Sequence, residues 1–360
     1  MIKNKYSILG LMSGTSLDGL DLCWVEFSKK TSWEYKILAA DTVAYTPAMK
    51  SELRNAITKS PKALSALNQS YTAYIAQLIN SFIKTHQIKN LNAVCSHGHT
   101  VFHQPQKGLT LQIGNLPELA NYISQTLVCD FRVQDVAMGG QGAPLVPIGD
   151  ALLFSQYDFC LNLGGFANIS FQAKNQRIAF DICPANITLN HYAEILGQPY
   201  DIDGKLAAKG RLHLPLLKAL NALDFYKKQP PKSLGLEWVQ SEVFPIVNNY
   251  NLDPCSVLRT LVEHTALQIV DVLVSQNLQT GLFSGGGVLN SFLMLRIVQI
   301  LGRPIPSTNR KLIHYKEALV FGFLGVLKLR QEVNCLRSVT GAKEDHSSGK
   351  IYCPSLGVNA

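Results

Sequence analysis

Three glycine-containing turns have residue types that suit phosphate binding, and each follows an apolar segment typical of a β-strand. They read Ser13-Gly-Thr-Ser-Leu-Asp-Gly19, Leu163-Gly-Gly-Phe-Ala-Asn168 and Ser284-Gly-Gly-Gly-Val-Leu-Asn290. Glycine lets the backbone approach a ligand closely, and the backbone N–H groups exposed there can bind phosphate oxygens. Hairpins also need glycine for steric reasons alone, but three such turns in one chain favour a ligand role. None has P-loop or dinucleotide-fingerprint spacing.

Charged and metal-ligating side chains lie near these turns or at strand ends. Asp18 could hold Mg²⁺ directly or through water, because carboxylate oxygens are ligands that Mg²⁺ prefers. Asp181 follows the run Arg177-Ile-Ala-Phe180, at a predicted strand end where such a residue often forms a turn or caps a helix. The spacing of His97, His99 and His103 is compatible with a metal site.

The elements that must position these residues occur twice in the same order. Strands predicted at 8–12, 20–27 and 33–43 form an antiparallel meander, followed by helices at 48–59 and 63–86, a strand at 93–95 and a polar loop from Ser96. A second meander is predicted at 157–163, 168–172 and 177–182, followed by helices including 257–276 and a strand at 280–284. We therefore predict two similar α/β domains, at 1–128 and 129–360, with the last residues packing back on the first and a ligand cleft between them.

Composition narrows the class of protein. The chain has 360 residues, 47% of them hydrophobic and 16% charged, with a formal net charge of +8. The basic residues are scattered, and the longest apolar run, 318–327, is much shorter than the roughly 18 residues of a membrane helix. Eight cysteines without a C-x-x-C pair are typical of buried free thiols in a reducing compartment. We predict a cytoplasmic protein without nucleic-acid or membrane partners; a homodimer is left open.

Several segments of the chain match the pattern of a known protein family. The string Gly10-Leu-Met-Ser-Gly-Thr-Ser-Leu-Asp-Gly-Leu-Asp21 resembles the N-terminal signature of the anhydro-N-acetylmuramic acid kinase family, part of the actin-like ATPase and sugar kinase superfamily. The resemblance covers about residues 8–354. The supporting segments follow in order along the chain: Ser96-His-Gly-His-Thr100, Cys129-Asp-Phe-Arg132, Gly139-Gly-Gln-Gly-Ala-Pro-Leu-Val-Pro147, Pro230-Pro-Lys-Ser233, Ser284-Gly-Gly-Gly287 and Ser338-Val-Thr-Gly-Ala342.

The resemblance implies two actin-like, ribonuclease H-like domains with ATP in the cleft between them. It also implies a reaction that opens the 1,6-anhydro bond of 1,6-anhydro-N-acetylmuramic acid with water and phosphorylates O6, within peptidoglycan amino-sugar recycling. Asp181 would be the general base. The implied ATP-binding residues are Gly14, Thr15, Ser16, Leu17, Asp18, Gly19, Gly164, Gly165, Asn168, Gly285 and Gly286. Asp18 would hold Mg²⁺, and the sugar would contact Asp130, Arg132, His99 and Glu317.

The sequence departs from the family pattern around the base. The family string F-D-T-G-P-G-N corresponds here to Phe180-Asp-Ile-Cys-Pro-Ala-Asn186, which removes one hydroxyl and two glycines. Asn115 and His99 also replace other residues of the family pattern. Two alternatives therefore stay open: a kinase acting on a related sugar without anhydro-bond cleavage, and a non-catalytic sensor of ATP or sugar.

Overall fold

The computed structural model describes residues 3–14 and 16–355, which form two compact units. Unit 1 comprises residues 1–153 and 315–360, and unit 2 comprises residues 154–314. This division differs from the boundary predicted after residue 128, because residues 129–153 and the segment after 314 group with unit 1. Thr15, a predicted ATP-binding residue, lies outside the described residues.

Unit 1 is a seven-stranded mixed sheet flanked by helices. Its elements before residue 154 are β1 (Lys5–Ser13), β2 (Gly19–Lys29), β3 (Trp33–Ala44), α1 (Pro47–Arg54), α2 (Pro61–Thr85), β4 (Ala93–Gln104), β5 (Leu109–Ile113), α3 (Glu118–Ile123), β6 (Leu127–Cys129), α4 (Val133–Ala137) and α5 (Pro147–Leu153).

Unit 2 contains a four-stranded sheet and most of the remaining helices. Its elements are β7 (Phe159–Leu163), β8 (Phe166–Ala173), β9 (Gln176–Pro184), α6 (Asn186–Ile195), α7 (Lys205–Lys209), α8 (Leu214–Asn221), α9 (Leu236–Trp238), α10 (Phe244–Asn248), α11 (Pro254–Ser275), β10 (Gly281–Ser284) and α12 (Ser291–Leu301). The chain continues with α13 (Arg310–Leu329), α14 (Arg337–Thr340) and β11 (Lys350–Tyr352).

Both sheets contain the predicted three-strand antiparallel meander, which confirms the α/β fold class. The order in unit 1 is β11-β6-β4-β1-β2-β3, with β5 on β4, and the order in unit 2 is β10-β7-β8-β9. In each sheet a strand from later in the chain pairs in parallel with the first strand of the meander, β4 with β1 and β10 with β7. The loop predicted from Ser96 is wrong, because β4 continues to Gln104 and pairs with β5. The period-2 pattern is interrupted at Gly98, where φ is 75°.

Local sequence explains where the main helices begin. The Ser60 side chain caps α2 by accepting a hydrogen bond from the Ala63 N–H, and Asp253 caps α11 in the same way. Proline follows each cap at the first helical position, where its missing N–H has no cost. The buried face of α2 packs on the unit 1 sheet, and α11 packs in the apolar core of unit 2. Among the described residues, no helix combines the length and apolar character needed to cross a membrane.

Candidate active site

A chain of buried hydrogen bonds holds the start of the first glycine turn. The Tyr45 hydroxyl donates to Ser13 Oγ over 2.7 Å, and Ser13 Oγ lies 2.9 Å from His99 Nδ1. The Tyr45 and Tyr71 hydroxyls are 2.7 Å apart. Burial lowers the pKa of His99 to about 4, so this imidazole is neutral at physiological pH. The chain thus rigidly positions the end of β1.

The remainder of this turn alternates between packed and exposed residues. Leu17 is buried with a left-handed φ of 58°, and its N–H donates to the Gly14 carbonyl. Ser16 and Asp18 are exposed. At Gly19 a side chain would collide with the Val43 carbonyl of the neighbouring strand, so glycine is required here for packing. Among the described residues of this turn, Ser16 and Asp18 are therefore the side chains that solvent or a ligand can reach.

Three carboxylates and one guanidinium of unit 1 interact electrostatically. Burial raises the pKa of Asp21, and the charge of Asp18 raises it further. Burial also raises the pKa of Glu317, while Arg132 lowers it. A cation near Asp18 and Asp21 would relieve their repulsion, and both offer the hard oxygen ligands that Mg²⁺ prefers. The residues present therefore fit a magnesium ion.

Arg132 is held by two hydrogen bonds that leave part of its guanidinium available. Its Nε donates to His97 Nε2 over 2.8 Å, and one terminal nitrogen donates to the Gly142 carbonyl over 2.6 Å. Burial lowers the pKa of Arg132 to about 10, which still leaves it charged at neutral pH. The second terminal nitrogen has no hydrogen bond to the described residues. Asp130, by contrast, forms an ion pair of 3.2 Å with Lys350.

His97, His99 and His103, whose spacing is compatible with a metal site, each have different hydrogen-bond partners. His97 Nδ1 lies 2.9 Å from the Gly98 carbonyl, in addition to the bond from Arg132. His99 contacts Ser13, and His103 Nδ1 lies 3.1 Å from the Thr110 hydroxyl. The three do not form a metal-ligating group in the described part of the chain.

Two glycine turns of unit 2 lie side by side at the ends of the parallel strands β7 and β10. Gly285 has a φ of 84°, and a side chain there would lie 2.5 Å from Asn162 Oδ1 and 2.8 Å from the Leu163 carbonyl. Gly286 and Gly165 are exposed, and a Cβ on Gly286 would meet no atom within 4 Å. Gly164 contacts the start of α6, since its carbonyl accepts a hydrogen bond from the Asn186 N–H. A ligand could therefore approach this backbone closely.

Asp181 lies on β9 of the same sheet, directly opposite Asn168 on β8. Its Oδ2 accepts a hydrogen bond of 2.8 Å from the Leu234 N–H, and its own N–H donates to the Lys232 carbonyl. Burial raises the pKa of Asp181 to about 6 although the Leu234 bond lowers it. Oδ1 has no hydrogen bond to the described residues, so this carboxylate has capacity for a further proton donor.

The three departures from the family pattern near Asp181 are buried side chains. Ile182 and Cys183 are buried in the apolar core of unit 2, as is Ala185. Neither Cys183 nor Ala185 has a positive φ, and Ala185 has a φ of −129°. Neither position therefore needs glycine in order to adopt a positive φ.

Sequence reasoning missed residues that support the predicted site from a distance. Tyr45 and Tyr71 complete the hydrogen-bond chain at Ser13, and Leu234 orients Asp181. Lys232 also lies 5.7 Å from the centroid of the Phe180 ring. The segment Pro230-Pro-Lys-Ser233 was an available signal for this loop, whereas the tyrosines stand in ordinary amphipathic patterns.

Comparison with known proteins agrees with this arrangement. The family model described as anhydro-N-acetylmuramic acid kinase matches residues 6–354. The chain is 35% identical to the protein of that name from Xanthomonas oryzae pv. oryzae (strain MAFF 311018) over 363 residues, 96% of each chain. It is 36% identical to the one from Pseudomonas putida, over 96% of this chain and 98% of that protein.

Among solved structures, the chain is similar to component A of (R)-2-hydroxyglutaryl-CoA dehydratase from Acidaminococcus fermentans. The identity is 12% and the TM-score is 0.47, with 90% of this chain and 99% of that chain covered. The family match and the relatives are decisive, because they extend over nearly the whole sequence. This chain belongs to the anhydro-N-acetylmuramic acid kinase family.

Proposed function

We propose that the protein is an ATP-dependent kinase that converts 1,6-anhydro-N-acetylmuramic acid, water and ATP into N-acetylmuramic acid 6-phosphate and ADP in cell-wall amino-sugar recycling. The observation that carries this proposal is the Asp181 carboxylate, with one oxygen held by Leu234 and the other without a hydrogen bond to the described residues. The six buried cysteine thiols among the described residues also favour a reducing, cytoplasmic location.

Asp181 acts as the general base in this proposal. The oxygen of water bonds to the anomeric carbon, and the bond between that carbon and O6 breaks. O6 then bonds to the γ-phosphorus of ATP, whose bond to the bridging oxygen breaks to release ADP. The proton of the water passes to Asp181. A carboxylate with a pKa of about 6 is mostly ionised at pH 7 and is a stronger base than an ordinary aspartate. A positioned base of this kind contributes a factor of roughly 10²–10⁴.

The exposed parts of the glycine turns bind the nucleotide in this proposal. The Ser16 hydroxyl and the exposed backbone at Gly165 and Gly286 would donate hydrogen bonds to phosphate oxygens. Asp18, supported by Asp21, would hold Mg²⁺, which when bound neutralises phosphate charge. Packing or backbone geometry accounts for several of the other predicted ATP-binding residues, so the case for their direct contact with ATP is weaker. These residues are Gly14, Leu17, Gly19, Gly164, Asn168 and Gly285. That both units bind the same ATP molecule stays a prediction.

The sugar would contact unit 1 through Arg132. Its second terminal nitrogen offers donors for the lactyl carboxylate of the substrate, while His97 and Gly142 keep the guanidinium in place. Glu317 and His99 would contact sugar hydroxyls. Asp130 is less suited than predicted because Lys350 occupies it.

The test is turnover with a defined sugar. Purified protein is incubated with Mg-ATP and 1,6-anhydro-N-acetylmuramic acid, and ADP and the sugar product are followed by mass spectrometry. We expect a product heavier than the substrate by one water and one phosphoryl group, greatly reduced in Asp181→Asn and unchanged in the exposed control Asp224→Asn. Phosphorylation without addition of water would instead indicate an ordinary sugar kinase, and binding of ATP or sugar without any turnover would indicate a sensor.

A further inference from the structure

Three metal-ligating side chains meet inside unit 1, outside the candidate active site. Asp135, Cys335 and His346 are buried, and one ligand atom from each lies within 4.8 Å of the others. Among the described residues this is the group of histidine, cysteine and acidic side chains that could hold a metal ion. The sequence separation of 200 residues between Asp135 and Cys335 hides the group from any motif search.

The backbone holds two of these ligands on one side. Cys335 and His346 form an isolated antiparallel bridge and exchange both backbone hydrogen bonds, each 3.1 Å long. Side chains of directly opposed residues in such a pair project to the same side. Asp135 approaches from α4 and is oriented by its other oxygen, because Oδ2 accepts a hydrogen bond of 2.6 Å from the Gly142 N–H.

Within the described part of the chain, one ring nitrogen of His346 has no hydrogen-bond partner. Its Nδ1 lies 3.0 Å from the Glu344 carbonyl, which can only accept, so Nδ1 carries the proton. Nε2 is buried and has no hydrogen-bond partner among the described residues, and it lies 3.6 Å from Asp135 Oδ1. Neutral imidazole oriented by a backbone carbonyl is the usual state of a metal-binding histidine.

Hydrogen bonds alone leave the cluster incompletely satisfied. Asp135 Oδ1 accepts from Cys335 Sγ over 3.0 Å and from the Thr340 hydroxyl over 2.7 Å. Neither bond provides a proton for His346 Nε2, whose lone pair faces a carboxylate oxygen. Either the imidazole is doubly protonated and pairs with Asp135, or a cation occupies the space between them.

We propose that Asp135, Cys335 and His346 bind a structural Zn²⁺ ion. A thiolate, an imidazole and a carboxylate together suit zinc better than they suit Mg²⁺ or Ca²⁺. Binding replaces the thiol proton of Cys335, which leaves to solvent. Water or the Thr340 hydroxyl would complete a tetrahedral set.

The zinc ion would stabilise the region behind Arg132. The carboxylate of Asp135 holds the Gly142 N–H, and the Gly142 carbonyl accepts a hydrogen bond from Arg132. The ion would thus tie α4 to the segments at 335 and 346 and fix this connection. Because the site is buried, the metal would enter during folding and contribute to the free energy of unfolding.

The experiment measures metal in the full chain without an affinity tag. The protein is first dialysed against EDTA, which removes weakly held Mg²⁺. Elemental analysis by mass spectrometry should then find about one zinc ion per chain. Cys335→Ser and His346→Gln should each weaken zinc binding by roughly tenfold or more. Cys353→Ser, which changes an exposed cysteine outside the cluster, should retain the metal.

A spectroscopic measurement keeps the test independent of whether the variants fold. Wild-type protein refolded with Co²⁺ should show sulfur-to-cobalt charge transfer and the visible bands of a tetrahedral ion. A wild-type protein that contains no zinc and gives no such bands would overturn the proposal in favour of the His346–Asp135 ion pair. Full zinc content in both Cys335→Ser and His346→Gln would also overturn it.

Discussion

The two meanders have the same strand order but differ in how completely their buried polar groups are hydrogen-bonded. At the end of β1, buried Ser13 is enclosed by Tyr45 and His99, which satisfy its hydroxyl from both sides. In unit 2, the Asp181 carboxylate on β9 accepts one hydrogen bond, from the Leu234 N–H, and burial partly desolvates it. The first meander is therefore stabilised around its turn, and the second holds a carboxylate ready to accept a proton.

This difference shows how one supersecondary unit can serve two purposes. A satisfied buried network fixes backbone position, whereas an under-satisfied buried charge raises the energy of its ionised form. The first property suits a turn that positions ATP, and the second suits a base. A substitution in one meander should therefore have effects on stability and activity that differ from those of a comparable substitution in the other.

The largest effect should come from Asp181→Asn. We expect kcat to fall by roughly 10²–10⁴ because the base is removed. In the wild type, burial raises the pKa of the Asp181 carboxyl from 3.8 to about 6 in the folded state. Ionisation at pH 7 therefore favours the unfolded state, and the variant, which has no charge to ionise, should be more stable at this pH. The gain should be on the order of 1–3 kcal/mol by urea unfolding. Unchanged kcat, or a clear loss of stability, would contradict this interpretation.

The neighbouring glycines of the β10 turn should separate packing from ligand binding. Gly285→Ala should lower the free energy of unfolding by about 2–4 kcal/mol, because it combines an unfavourable positive φ with a steric clash. Gly286→Ala should change stability by less than about 0.5 kcal/mol, since its Cβ meets open space. It should instead raise KM for ATP. Equal stability losses in the two variants would refute the described turn geometry.

Two serines offer the corresponding comparison in unit 1. Ser13→Ala should cost about 1–3 kcal/mol, because it removes the hydrogen-bond partner of His99 and one partner of Tyr45 in a buried site. Ser16→Ala, at an exposed position, should leave thermal unfolding nearly unchanged and weaken ATP binding. The prediction fails if Ser16→Ala destabilises the protein more than Ser13→Ala does.

The smallest effect should be the pH dependence near neutrality. The free carboxylate of Asp181 becomes protonated as pH falls through about 6, so kcat/KM should decrease about tenfold per unit below that value. His99 is already neutral above about pH 4 and should add no change between pH 6 and 8. An acidic limb centred near pH 7 would point to a different base.

Local patterns were enough to predict both meanders, because alternating apolar residues and glycine turns are properties of a few consecutive residues. The same reasoning misplaced the region after Ser96. There the polar residues of β4 are covered by tertiary contacts: His97 is bound by Arg132 and His99 by Ser13. Polarity predicted a loop because the partners that satisfy these side chains are remote in sequence.

By itself the sequence determined the family, the α/β class, the glycine turns and Asp181 as the candidate base, because these depend on contiguous residues. The tertiary structure decided which predicted ligands are free and which are occupied, such as Asp130 by Lys350. It also brought together Asp135, Cys335 and His346 from distant segments. Burial and hydrogen-bond satisfaction depend on residues that meet only after folding, and for this reason no local pattern contained them.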